Sequence, residues 1–372
     1  MRTEPPCRSD AGFSLTELLV ASVIVIIVLV ATMTALQNAY RATEIAEGTT
    51  GLTNNLRIGV DMIVRDLIQV GQGMPTGRTV QVPNGTGALK IQRPRAQGST
   101  CTEWPTGTEV IPAVTVGPGC GPTINGVATD MLTTLAVDSQ LEAVPVESFN
   151  AGAHTATIST PAQVTGGLDI STGGPDDVEV GDLMMFTKGS ASALVYITAV
   201  NGNQTITFNG GDPFQLNQFV SSLNGTIDDL IALAPTTARS ATVSRIRMIS
   251  YYLDNTLDPT TPRLIRHMNW GNPALALNKR GRTVAFAMEN LQITYDMVDG
   301  ATNPSNVKMV AADLTTGGAC APQTCSPNQI RKVNIYLAGR STDKFSTTKN
   351  YFRNALNTQV SLRSMALVDR YK

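Results

Sequence analysis

"GFSLTELLVASVIVIIVLVATMTAL", residues 12–36, carries one carboxylate, Glu17, and from there to Tyr40 the chain has no Asp, Glu, Lys, Arg or His. A helix over 13–36, at 1.5 Å per residue, reaches about 36 Å, enough to cross a hydrocarbon core of about 30 Å. An ionised carboxylate deep in a bilayer costs about 2.5–3.5 kcal/mol on insertion scales. Glu17 therefore asks for a partner, or for a place near the membrane surface to which it can snorkel. Glutamate has a short stem for snorkelling, which favours a partner. A secretory signal peptide would be cut after its apolar run, at a small-x-small site. "VATMTAL" (30–36) is a poor version of such a site, and the polar leader 1–12 instead precedes the run and ends on Gly12.

The order of Gly12, Phe13, Ser14, Leu15, Glu17, Leu18 and Leu19 resembles the class III signal of type IV pilins. The resemblance implies that prepilin peptidase cuts between Gly12 and Phe13 and that Phe13 is then N-methylated. It also implies that Glu17 pairs with the N-terminal amine of a neighbouring subunit. A buried charge is costly alone and tolerable when paired, so Glu17 would favour assembly over the isolated monomer. The leader departs from the pattern in carrying Glu4 and Asp10 beside Arg2 and Arg8. Orientation follows Lys and Arg counts, and two arginines bias the leader only weakly inward.

Past the membrane half, 37–73 reads as a continuation of the helix, interrupted at Gly48 and Gly51 and then resumed. Leu56, Val60, Ile63, Leu67 and Val70 share one face, which should pack on a head. Arg57, Asp61 and Arg65, four apart, should form exposed ion pairs on another face. Gly71, Gly73 and Pro75 close the helix.

From residue 76 onward the pattern is strand and turn. Leu291, Ile293, Tyr295 and Met297 alternate with polar residues, as do Val333, Ile335 and Leu337, the period of a half-buried strand. Asn201-Gly202 lies between β-rich runs as a hairpin turn, and "IDDLIALA" near residue 230 reads as a short helix. Residues 76–240 form a Gly-, Thr-, Pro- and Asn-rich β elaboration, and 241–372 a more regular sheet. The fold class is α+β and pilin-like: a long N-terminal helix, half transmembrane and half amphipathic, on a large antiparallel β-rich head. "VRDLIQVGQGMP" resembles the helix end of PilW-type minor pilins and J-type pseudopilins, and "VSRIRMISYYLD", "RLIRHMNW" and "TQVSLRSMALVDRY" resemble the C-terminal strands of PilW-type proteins.

The chain has 372 residues, a formal net charge of −1 and 15% charged residues. Near-neutral charge argues against a nucleic-acid binder, which would carry a basic stripe. The five cysteines are Cys7, Cys101, Cys120, Cys320 and Cys325. Removal of 1–12 takes Cys7 with it and leaves two close pairs, read as Cys101–Cys120 and Cys320–Cys325, although four cysteines permit three connectivities. Disulfides belong to an oxidising compartment.

No catalytic residues or cofactor are expected. His154 and His267 are far apart in sequence, and no G-x-S-x-G, H-E-x-x-H or G-x-x-x-x-G-K run occurs. No C-x-x-C supports a zinc site. Asp176, Asp177, Glu179 and Asp182 could chelate calcium but lack the EF-hand spacing, and a solvated acidic turn is the better reading.

The resemblance implies a non-enzymatic minor pilin held in the bacterial inner membrane with its head in the periplasm, then assembled into a pilus or its initiating tip complex. Its partners would be prepilin peptidase, other major and minor pilins and the inner-membrane assembly platform. A J-type pseudopilin of a type II secretion system shares the signal and helix, but its head is generally leaner. An anchored envelope hydrolase is the rival from another class, and the sequence offers it no nucleophile–base pair.

Overall fold

The 54 residues of Leu15–Ile68 form one unbroken helix, about 81 Å long at 1.5 Å per residue. The computed structural model describes residues 14–366, apart from 76–78, 84–89, 96–97, 100, 105–109, 171–176, 220–224, 234–236, 270–280, 299–305, 311–318, 321–322, 325–329 and 347. The helix meets two environments. Its most apolar 18-residue stretch has a mean hydropathy of 2.8 and is exposed along its length, with no described residue burying that surface. By length and composition this half can cross a membrane.

The second half turns Leu52, Leu56, Val60, Ile63 and Leu67 inward, and Val70 follows in the closing turn. The expected interruption at Gly48 and Gly51 is corrected, because the helix runs through both. A helical glycine costs about 1 kcal/mol relative to alanine, too little to break a helix held by packing on its C-terminal side. Gly48 uses its missing side chain, since a Cβ there would lie 2.8 Å from Phe345 Cε1. Arg57, Asp61 and Arg65 are exposed, but among the described residues no ion pair joins them. Exposed pairs gain well under ~1 kcal/mol against the entropy of holding two long side chains. After Ile68 the chain turns through Gly71 and Gly73, both at positive φ (71° and 69°), and the Gly71 amide donates to the Leu135 carbonyl at 2.9 Å.

The head is antiparallel throughout its described ladders, and two sheets dominate. The larger has 11 strands and is organised by the 14-residue strand Ala241–Asp254. Along its length this strand pairs with Val144–Asn150, Leu183–Lys188, Met131–Val137 and Arg263–Met268. The change of composition at residue 240 is therefore no division of the sheet, which takes strands from both sides of it. The smaller sheet has four strands, in the order Asn306–Val310, Met288–Val298, Ile330–Arg340, Arg353–Ser361. Leu291, Ile293, Tyr295, Val333, Ile335 and Leu337 are fully buried, which is the expected alternation. The Asn201-Gly202 hairpin joins Ala199–Asn201 to Thr205–Thr207 with Gly202 at φ 66°, and the short helix is Ile227–Ala232.

The helix lies where the two sheets meet. A Cβ on Gly59 would be 2.9 Å from Leu337 Cδ2 of the smaller sheet and 3.1 Å from Leu264 Cδ2 of the larger. The core there is one cluster running from Leu52 through Leu264 and Leu291 to Leu337. A second cluster, around Phe186, Phe208 and Ile158, fills the part of the head built by residues 141–243.

Two glycines of one helix should thus respond oppositely to substitution. Gly59→Val overpacks the junction and should lower unfolding stability by about 1–3 kcal/mol. Gly51→Ala adds a Cβ that meets nothing within 4 Å and should raise it by up to about 1 kcal/mol. Chemical denaturation of the full chain in detergent measures both.

Candidate functional site

Gly12 and Phe13 lie outside the described residues, so the helix start is described from its N-cap, Ser14. The Ser14 amide donates to Glu17 Oε2 at 3.0 Å, and the Ser14 and Thr16 hydroxyls are 2.6 Å apart. Glu17 thereby caps its own helix, at the end where the macrodipole favours a negative charge. Among the described residues its other oxygen, Oε1, bonds to nothing. Glu17 is exposed amid exposed apolar neighbours, with Leu15 at 82% and Leu18 at 65%.

At the far end of the helix a second carboxylate has the opposite fate. Asp66 is 7% exposed. Its Oδ2 accepts from Arg266 Nε at 2.7 Å and its Oδ1 from Arg266 Nη2 at 3.1 Å, a bidentate pair. The Tyr251 hydroxyl also donates to Oδ2. Tyr251 and Arg266 face each other on neighbouring strands of the larger sheet, so the cluster fastens helix to sheet. Burial first, then the Asp66 charge and hydrogen bond, push the Tyr251 phenol well above its ordinary value. Burial works against the Arg266 guanidinium, but Asp66 and Tyr251 outweigh it and raise its pKa.

The third contact is at the level of the helix just past Tyr40. Glu44 Oε1 accepts from the Ser346 amide at 2.7 Å and Oε2 from the Ser346 hydroxyl at 2.6 Å. The hydroxyl chiefly, then the amide, hold the Glu44 carboxyl below its usual range. The connection between Ile330–Arg340 and Arg353–Ser361 folds on itself, with Phe345 and Asn350 joined at 3.0 Å, and grips the helix there. A cleft of about 560 Å³ lies between them, lined by Tyr40, Glu44, Glu47, Asp343 and Lys344 among others.

The remaining candidates resolve differently. Cys101 and Cys120 form a disulfide with Cα atoms 5.3 Å apart, worth about 3 kcal/mol in the chain-entropy model. For Cys320–Cys325 the pairing lies outside the described residues. His154 stacks on Phe219 at 3.5 Å, whereas His267 is buried with Nδ1 3.2 Å from the Tyr252 hydroxyl. Asp182 is not part of a solvated turn. It is 2% exposed and 3.5 Å from Arg245 Nη1, and burial raises its pKa against the pull of the Glu179 amide and of Arg245. Arg245 also bonds Asp138 at 2.8 Å. Asp176 lies outside the described residues, and among those described no cluster of three His, Cys, Asp or Glu could hold a metal.

Asp66 was legible in principle, because it stands three residues after Ile63 on the buried stripe, and a carboxylate there demands a partner. Glu44 gave no local signal, since Ser346 lies 302 residues away.

Residues 7–33 match the family described as the prokaryotic N-terminal methylation motif. No curated protein and no solved structure matches the chain. The motif, the long apolar helix and the antiparallel head together support a type IV pilin-like subunit stored in a membrane, and the motif implies processing by prepilin peptidase.

Removing the Asp66 carboxylate strands the Arg266 charge, whereas removing the Tyr251 hydroxyl takes one hydrogen bond from a pair that stays intact. Asp66→Asn should cost about 3 kcal/mol and Tyr251→Phe about 1–2 kcal/mol, read from urea unfolding. The buried Tyr251 and Tyr252 phenols keep their protons above the ordinary 10.0. Their contribution is complete below about pH 10 and is lost as pH rises past it. Unfolding midpoints should fall as pH rises above about 10, and less steeply in Tyr251→Phe.

Proposed function

We propose that this chain is a minor pilin of the PilW kind. It is a non-enzymatic subunit that waits in the inner membrane with its head in the periplasm and is then built into a type IV pilus or its initiating tip complex. The observation that carries this is the methylation motif at 7–33, which overlaps the start of a helix of 54 residues whose first half no described residue covers. An uncovered helix of that length needs lipid, or the helices of other subunits. The long section 76–240 favours a pilin over the leaner head of a J-type pseudopilin.

Glu17 supplies the assembly chemistry in this proposal. Cleavage after Gly12 creates an amine on Phe13, and a neighbour shifted along the fibre brings its own amine toward Glu17. Oε2 is held by the Ser14 amide, which leaves Oε1 to accept from that amine. The pair is stronger in lipid than in water because the dielectric constant is low. Partners would be other major and minor pilins and the assembly platform.

Intact mass and N-terminal sequencing of the membrane fraction should find a chain that starts at methylated Phe13, with 12 of the 372 residues gone. A start after Ala35 would mean an ordinary signal peptide and would end the proposal. Glu17→Gln keeps an oxygen for Ser14 but removes the charge. It should still be cleaved, and its recovery with partner pilins should fall at least about tenfold, the equivalent of ~1.4 kcal/mol. Undiminished recovery of Glu17→Gln at matched expression would remove Glu17 from assembly.

A further inference from the structure

The edge of the smaller sheet is open in an unusual way. Arg353–Ser361 pairs along all nine of its residues with Ile330–Arg340 in an unbroken register. Among the described residues no strand pairs with its other side. Proteins ordinarily defend such an edge with proline, lysine, a bulge or brevity. "RNALNTQVS" has no proline, no lysine and no bulge, and its one charge, Arg353, is held by Glu289 at 2.7 Å at one end.

The two faces of this edge specify what would fit. On the inner face Val360 is buried and Leu356 packs against the core that includes Leu337. On the outer face a polar ladder crosses three strands. Gln359 Nε2 donates to Asp296 Oδ2 at 2.8 Å and to Asn334 Oδ1 at 2.7 Å, and Asn334 Nδ2 donates to Asp296 Oδ1 at 2.8 Å. Asn357 stands exposed beside the ladder. A further strand would continue both faces if it alternated apolar residues toward the helix with amide or hydroxyl residues toward solvent.

The helix fixes the direction of that strand. A Cβ on Gly48 would lie 3.9 Å from Ser341 Cβ, one on Gly339 3.2 Å from Leu52 Cδ1, and one on Gly59 2.9 Å from Leu337 Cδ2. Rising helix numbers thus meet falling strand numbers, so Ile330–Arg340 runs toward the membrane half and Arg353–Ser361 runs away from it. An antiparallel fifth strand must run toward the membrane. Two copies joined antiparallel through this same edge would point their helices in opposite directions, which one membrane forbids.

We infer that the outer edge of Arg353–Ser361 receives an extended segment of a different subunit anchored in the same membrane, added as an antiparallel fifth strand. The inference rests on the membrane-stored pilin reading. Recognition is by backbone hydrogen bonds, with register set by the alternation of the two faces.

The test uses the full chain in cells that make its assembly. A photo-cross-linking side chain replaces Asn357 or, as a control, Leu257, which is 77% exposed between Ala241–Asp254 and Arg263–Met268. The Asn357 probe should join an alternating strand of one other membrane-anchored chain, identified by peptide mapping, and the Leu257 probe should not. Thr358→Pro and Gln359→Pro, each made in the Asn357 probe chain, separate the two edges. Neighbouring amides in a strand point to opposite sides, so one variant breaks the existing ladder and lowers the thermal midpoint. The other should keep the midpoint and lose the adduct at least tenfold. An adduct with this chain's own residues 367–372, an equal adduct from Leu257, or an outward proline without effect overturns the inference. A mature Phe13 terminus with no adduct at Asn357 also overturns it and leaves the pilin proposal standing. A chain that is never cut at Gly12 overturns both.

Discussion

Asp66 is the residue on which the arrangement of helix and head depends. It lies in the last turn of a helix whose neighbouring positions, Ile63 and Leu67, are fully buried. A lone carboxylate in that setting would be strongly unfavourable. Arg266 and Tyr251 remove the penalty, and they can do so only in one register of helix against sheet. Apolar packing along Leu52, Leu56 and Val60 would tolerate some sliding, because it is non-directional. The bidentate pair does not tolerate it. The cluster therefore sets how far the membrane half of the helix projects from the head.

That projection imposes a second demand, since one helix must suit lipid at its start and a packed core at its end. The change between the two occurs over residues 44–52, where Glu44 is gripped by the loop at Ser346 and Gly48 admits the ring of Phe345. Thr49 Oγ1 there bonds back to the carbonyls of Ile45 and Ala46 at 2.8 and 3.0 Å. Such back-bonds satisfy a hydroxyl inside the helix, and the Phe345 ring against Gly48 supplies the tertiary contact that holds the segment helical. Smooth hydrophobic burial begins only at Leu52.

The helix and the antiparallel head were legible because both rest on periodicity. A run without charge from Leu18 to Tyr40, the stripe from Leu56 to Val70 and the alternation at Leu291–Met297 each report a local rule. The Gly48–Gly51 interruption failed because helix propensity is weak beside tertiary contact, and the contact comes from Phe345, far along the chain. Asp182 was misread for a related reason. Its neighbours suggest an acidic surface turn, but Arg245 arrives from the central strand of the sheet and takes it inside. Partners that come from a distance in sequence leave no local trace.

Glu17 and Asp66, near the two ends of one helix, show how the same carboxylate group acquires different uses. Asp66 has both oxygens engaged by its own chain, Oδ1 by Arg266 and Oδ2 by Arg266 and Tyr251. At 7% exposure it is turned to the fold. Glu17 engages one oxygen at its own N-cap and, among the described residues, keeps the other. A half-satisfied carboxylate is tolerable in water or at a membrane surface and costly within hydrocarbon. Its cost falls when a cation comes near. In the proposed assembly, the amine of a neighbouring subunit meets that electrostatic requirement. The proposed function thus places folding, through Asp66, and assembly, through Glu17, at opposite ends of a single helix.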